Sequence, residues 1–192
     1  LGRVGSVEAL RELELALGSG NPAVRAASAE GMLIVADRRL VAGDRSGARL
    51  VYERVRLADV AGVWRVAAHR GAVLTTEGDV VPAWRNLLGS PDPALRELAL
   101  SLFRELRDPG INAALIAEAA GLDPAWQAAA ITALVDVREP RALPLIEAKA
   151  KEGPVALRTV ALRALGRVGG ASSVPVLLRA VGETGADAVV EA

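Results

Sequence analysis

From Leu95 onward, apolar residues return in two superposed rhythms. The short rhythm is helical: Leu95, Ala99, Phe103 and Leu106 fall at i, i+4, i+8 and i+11, one stripe of an amphipathic helix. The long rhythm has a period of 31 residues and brings Leu95, Trp126 and Leu157 into one column. Ala99, Ala130 and Ala161 form a second column, Phe103, Leu134 and Leu165 a third, and Leu100, Ile131 and Leu162 a fourth. Leu106, Val137 and Val168 keep the same step. A stripe repeating at a fixed interval predicts one helix per repeat that buries this face.

A second helix is predicted ahead of each of these, in VPAWRNLL from Val81, INAALIAEA from Ile111, ALPLIEAKA from Ala142 and SVPVLLRAV from Ser173. Pro82, Pro144 and Pro175 share one column with Ala113, and Trp84, Leu115, Ile146 and Leu177 share the next apolar one. Proline suits a first helical turn, where the N–H it lacks has no partner. The proline column therefore marks where each first helix starts. Between the two helices stand GSPDPALR from Gly89, GLDPAW from Gly121 and EGPVALR from Glu152, with GSGNPAVR from Gly18 of the same kind. Asn21 and Asp92 are the expected N-caps there.

Extended backwards, the period sets Trp64 under Leu95, Arg65 under Arg96 and Ala68 under Ala99. Val24 is the next match, displaced by two periods plus nine residues, so nine residues are inserted in RRLVAGDRSG. They are expected to lengthen the second helix of the first unit and then turn at Gly43 and Asp44. LGRVG at 1–5 and at 165–169 lie five periods plus nine apart, in register. The units run approximately over 5–37, 47–77, 78–108, 109–139 and 140–170, with a partial one at 171–192 and the insertion at about 38–46. LGRVG then reads as the tail of a preceding second helix, and GADAVVEA from Gly185 as the start of another second helix.

Composition supports helices: hydrophobic residues make up 52% and aromatics only 3%, so alanine, leucine and valine supply the packing. Lys plus Arg and Asp plus Glu are both 23, which leaves no net field to attract nucleic acid or an anionic membrane. The absence of cysteine excludes disulfides, thiolate metal sites and cysteine nucleophiles. Apolar runs such as MLIVA and AAAITALV fall far short of the roughly 20 residues that span a bilayer.

LRTVALRALGRVGGASSVPVLLRAV from Leu157, together with PDPALRELAL and its Asp92 and Arg96 spaced by four, resembles the HEAT repeat family. The resemblance is strongest to the short bacterial HEAT-like repeats also found in phycobilin lyases, and RLVAGDRSGARLVYERV, within residues 37–58, resembles a tetratricopeptide joint. It implies an all-α fold, a right-handed α-α superhelix of about five helical-hairpin repeats. The family's Asp and Arg are broken at Gln127 and before Arg158, so those rungs are expected to be held less well. Stacked hairpins share one core, because none covers its own apolar face.

Candidate chemistry is sparse. His69, the only histidine, shares the column of Leu100, Ile131 and Leu162, which predicts a partly buried, hydrogen-bonded side chain and not a general base or metal ligand. Trp64, Trp126 and Trp84 occupy apolar columns and read as core, not as a base-stacking platform. On that reading, removing the Trp126 ring costs roughly 3–5 kcal/mol. GRVGG from Gly166 lacks the strand and Lys-Ser or Lys-Thr sequel of a phosphate loop, so Gly169 and Gly170 read as a helix C-cap.

What remains is polar. Arg70, Ser101, Thr132 and Arg163 form a column at steps of 31, with Arg104 and Arg167 near it and Glu105 and Asp136 interspersed. The resemblance places this side of the second helices on the concave surface, where a mixed-charge helix face competes with a groove for a peptide or an acidic partner segment. The expected function is a non-catalytic protein–protein interaction or scaffolding module with no cofactor, no metal, no nucleic acid and no membrane insertion. The alternatives are a phycobilin-lyase-like or DNA-glycosylase-like enzyme and a plain spacer. Compartment, bacterial cytoplasm or exported, depends on sequence upstream of Leu1.

Overall fold

The structure is a computed structural model that describes the backbone of residues 7–190 and the side chains of residues 7–182. LGRVG at 1–5 lies outside the described residues. All regular structure among them is helical: α1 (Val7–Leu17), α2 (Pro22–Val41), α3 (Arg45–Leu57), α4 (Gly62–Leu74), α5 (Val81–Leu88), α6 (Pro93–Leu106), α7 (Pro109–Ala119), α8 (Pro124–Asp136), α9 (Leu143–Glu152), α10 (Val155–Val168) and α11 (Val174–Val190). Single 3-10 turns, Pro140–Ala142 and Ala171–Ser173, lead into α9 and α11. The protein is all-α. Helices α4, α6, α8 and α10 start at Gly62, Pro93, Pro124 and Val155, each 31 residues after the one before. The chain divides into two compact units, Leu1–Leu102 and Phe103–Ala192.

In the first unit α1 packs on α2, α2 on α3 and α3 on α4, while α2 also reaches α4. Consecutive hairpins therefore lay their second helices side by side. The core is built from Leu10, Leu13, Met32, Val35, Val51, Tyr52, Val55 and Ala68. Asn21 caps α2 through the Ala23 N–H at 2.9 Å, and Asp44 caps α3 through Gly47 at 2.9 Å. The 20-residue α2 is followed by Gly43 at φ 86°, a left-handed turn that glycine adopts without a Cβ penalty. Trp84 of α5 is wholly buried, and its indole N–H donates to the Ala99 carbonyl at 2.7 Å.

One polar column ties hairpin to hairpin. Arg25 donates to the Ser19 carbonyl at 2.9 Å, within its own turn, and to the Asp59 carbonyl at 2.8 Å and carboxylate at 3.1 Å, in the next. Arg65 reaches Asp92 at 3.1 Å, while the other Asp92 oxygen caps Ala94 at 3.0 Å. The partner of Asp92 is thus the arginine of the preceding hairpin. Arg96, four residues along, donates to the Ser90 carbonyl at 2.6 Å. In the second unit Gln127 takes the same position and donates to the Leu122 and Ala120 carbonyls at 2.7 and 3.1 Å. Gln127 keeps the bonds within its own turn, because an amide N–H₂ can serve the same turn carbonyls as a guanidinium.

The second unit packs α7 on α8, α8 on α10, α9 on α10 and α9 on α11, around Ile111, Leu115, Ile131, Leu134, Ile146, Leu157 and Leu165. Ala99, Ala130 and Ala161, with Ala68 one step earlier, are fully buried. Trp126 departs from the core reading: it and Trp64 are only partly buried, where Leu95 and Leu157 of the same column are buried. The column falls in the first turn of each second helix, and a ring overhangs the end of the core that a leucine stays within. Removing Trp126 therefore costs less than a fully buried aromatic would. GADAVVEA is not a separate second helix, since α11 runs unbroken to Val190.

Arg138, at φ 55°, closes α8 in a Schellman turn, with Arg138 N–H donating to Val135 and Glu139 N–H to Leu134, both at 3.0 Å. That exit aims Glu139 at two partners. Its carboxylate accepts from Arg141 Nε at 2.8 Å and Nη2 at 3.0 Å and from Asn112 Nδ2 at 2.8 Å. The Arg141 guanidinium, chiefly, holds this carboxyl at about 2, against an ordinary 4.5. A carboxylate with a depressed folded pKa stabilises fully above the ordinary value and loses that stabilisation as pH falls towards the folded one. Urea unfolding of Glu139→Gln is accordingly expected to lose less stability than wild type between pH 4.5 and 2; parallel losses would show that the tether does not titrate this way.

Candidate functional site

Burying one stripe of α8 and of α10 leaves the opposite stripe of each helix facing outward, side by side. Thr132 and Val135 of α8 and Val160, Arg163, Ala164 and Arg167 of α10 enclose a hollow of about 260 Å³. Val135 and Ala164 are buried and Val160 partly so, while Thr132, Arg163 and Arg167 are exposed. The hollow has an apolar floor and a polar rim. The Thr132 hydroxyl donates back to the Ala128 carbonyl at 2.9 Å, a local bond that leaves its oxygen able to accept.

Asp136, at the end of α8, organises one side of the rim. Its Oδ2 accepts from Arg104 Nε of α6 at 3.0 Å, and its Oδ1 lies 3.7 Å from Arg167 Nη2. The first is a charge-assisted hydrogen bond and the second only an ion pair. Arg163, one turn before Arg167 on the same face, makes no ion pair or hydrogen bond among the described residues. Like charges at i,i+4 on a helix repel.

Four of the six candidate binding residues, Arg104, Thr132, Arg163 and Arg167, thus meet around one hollow and one carboxylate. Arg70 and Ser101 lie in the first unit, both exposed. The sequence had marked Asp136 only as an interspersed charge. Its role was signalled by spacing: Arg167 follows Asp136 by one period, and Arg104 precedes it by one period plus one residue. Opposite charges one period apart occupy matching positions on neighbouring second helices.

The other candidates are structural. His69 is partly buried, and burial first, then the nearby Arg56 charge, lowers its pKa below 6.5. It lacks the hydrogen bond expected of it among the described residues. The carboxylates near it are already occupied: Glu53 accepts from Arg56 at 2.7 Å and Asp92 from Arg65 at 3.1 Å. Tyr52 has its pKa raised above the ordinary 10, first by burial and then by its hydrogen bond to Asp37. Gly169 closes α10 in an extended conformation, so it is a C-cap without the left-handed turn. Among the described residues no three or more His, Asp or Glu side chains cluster to hold a metal, and no helix is long and apolar enough to cross a membrane.

Residues 112–192, which include the whole hollow except Arg104 beside it, match the family model for HEAT repeats. No curated protein matches the chain.

Proposed function

We propose, from the match of residues 112–192 to the family model for HEAT repeats, that this chain is a non-catalytic docking module which holds a protein partner on the outward face of its second helices. HEAT repeats generally mediate protein–protein interaction, and fold alone does not say which surface is used. The observation that carries the choice of surface is the hollow between α8 and α10, with its buried Val135 and Ala164 under exposed Thr132, Arg163 and Arg167. An apolar floor inside a polar rim is the anatomy of a protein-binding patch.

A photo-crosslinking amino acid placed at Thr132, and in a control at the exposed Ala148 of α9, tests this in extract of the source cells. A discrete protein adduct is expected from position 132 and not from 148. Equal labelling from both positions, or none from either, overturns the assignment.

A further inference from the structure

We infer that the α8–α10 hollow takes an acidic peptide segment, with a side-chain carboxylate held between Arg163 and Arg167 and an adjoining aliphatic side chain on Val135, Val160 and Ala164. This rests on the docking function proposed above and specifies the chemistry of the partner.

The charge of the rim is the first argument. Asp136 makes its shorter contact with Arg104 at 3.0 Å and its longer one with Arg167 at 3.7 Å, and Arg163 on the same hollow makes no ion pair or hydrogen bond among the described residues. That leaves two guanidiniums one helical turn apart with most of their N–H donors directed to solvent. Each is a planar fork that fits a carboxylate with two parallel hydrogen bonds. An arriving carboxylate also screens the repulsion between them, which it cannot do for a pair already neutralised.

Size and floor give the second argument. A hollow of about 260 Å³ holds one or two side chains, which selects a peptide segment over the face of a folded domain. The floor of Val135, Val160 and Ala164 offers nothing to a polar side chain, so the residue beside the acid is aliphatic. A polyanion such as nucleic acid finds no extended field here, since the chain carries 23 basic and 23 acidic residues.

Asp136 then acts as an internal competitor: it offers Arg167 the same group the partner brings. Its removal is expected to strengthen binding, the opposite of what removing a simple structural carboxylate would do.

The test pans a random-peptide display library on the full chain and measures the recovered peptides against three variants. Recovered peptides are expected to carry Asp or Glu beside Leu, Ile or Val. They should bind Arg163→Glu/Arg167→Glu at least about tenfold more weakly and Asp136→Asn more tightly, with helical circular dichroism unchanged. Arg163→Gln/Arg167→Gln, which adds no negative charge, should fall in between. Peptides without acidic residues, or acidic ones that bind the charge-reversed variant equally well, overturn the acidic groove while leaving the docking module standing. A library that yields no binder overturns both.

Discussion

Replacing Trp84 with alanine is expected to destabilise the protein by roughly 3–5 kcal/mol, the range for deleting a fully buried large aromatic. Two losses combine. The ring has no exposed surface, so its removal leaves a cavity that neighbouring helices fill only in part. The indole N–H also donates to the Ala99 carbonyl at 2.7 Å, a link from α5 across to α6 worth about 1 kcal/mol net. Trp84→Phe separates them, since it keeps most of the ring and deletes the donor. A fall in melting temperature on the order of 10 °C follows for the alanine variant, with a smaller fall for phenylalanine. Trp126→Ala, at a partly exposed position, should lie well below Trp84→Ala; equal effects would show that burial does not separate the two tryptophans.

That contrast marks how far the sequence could be read. Columns spaced by 31 located the helices and identified Ala99, Ala130 and Ala161 as core, because a repeated helix must repeat its buried stripe. Columns carry no information on depth along a helix. Trp126 and Leu157 occupy one column, yet only the leucine is short enough to stay covered in the first turn of its helix. Polar rungs were harder still. Asp92 and Arg96 suggested a pair from their spacing of four, whereas Asp92 bonds Arg65 of the preceding hairpin at 3.1 Å. Nothing in local spacing distinguishes a pair inside one turn from a pair between successive turns. For the hollow, the sequence supplied Thr132, Arg163 and Arg167 as an exposed set, and packing added the floor beneath them and the carboxylate of Asp136 beside them.

Gly71 gives a sharper test, because helix propensity and packing predict opposite signs. It lies inside α4, where alanine normally stabilises a helix by about 0.5–1 kcal/mol relative to glycine. At this position a Cβ would meet the Tyr52 ring, with Cζ only 2.5 Å away. The ring has little freedom to withdraw: Tyr52 is 2% exposed, and its hydroxyl donates to Asp37 at 2.5 Å. Overpacking a filled core costs typically about 1–3 kcal/mol, which outweighs the propensity gain, so Gly71→Ala is expected to destabilise. The 31-residue column that continues through Leu102, Ala133 and Ala164 has glycine here, the one member without a side chain, opposite the chain's only tyrosine. If that pairing is the cause, Tyr52→Leu should relieve the clash. Urea unfolding of the two single variants and the double variant measures the coupling: Gly71→Ala should cost stability beside Tyr52 and restore or raise it beside leucine. A Gly71→Ala protein more stable than wild type would mean that helix propensity decides this position and the aromatic ring does not.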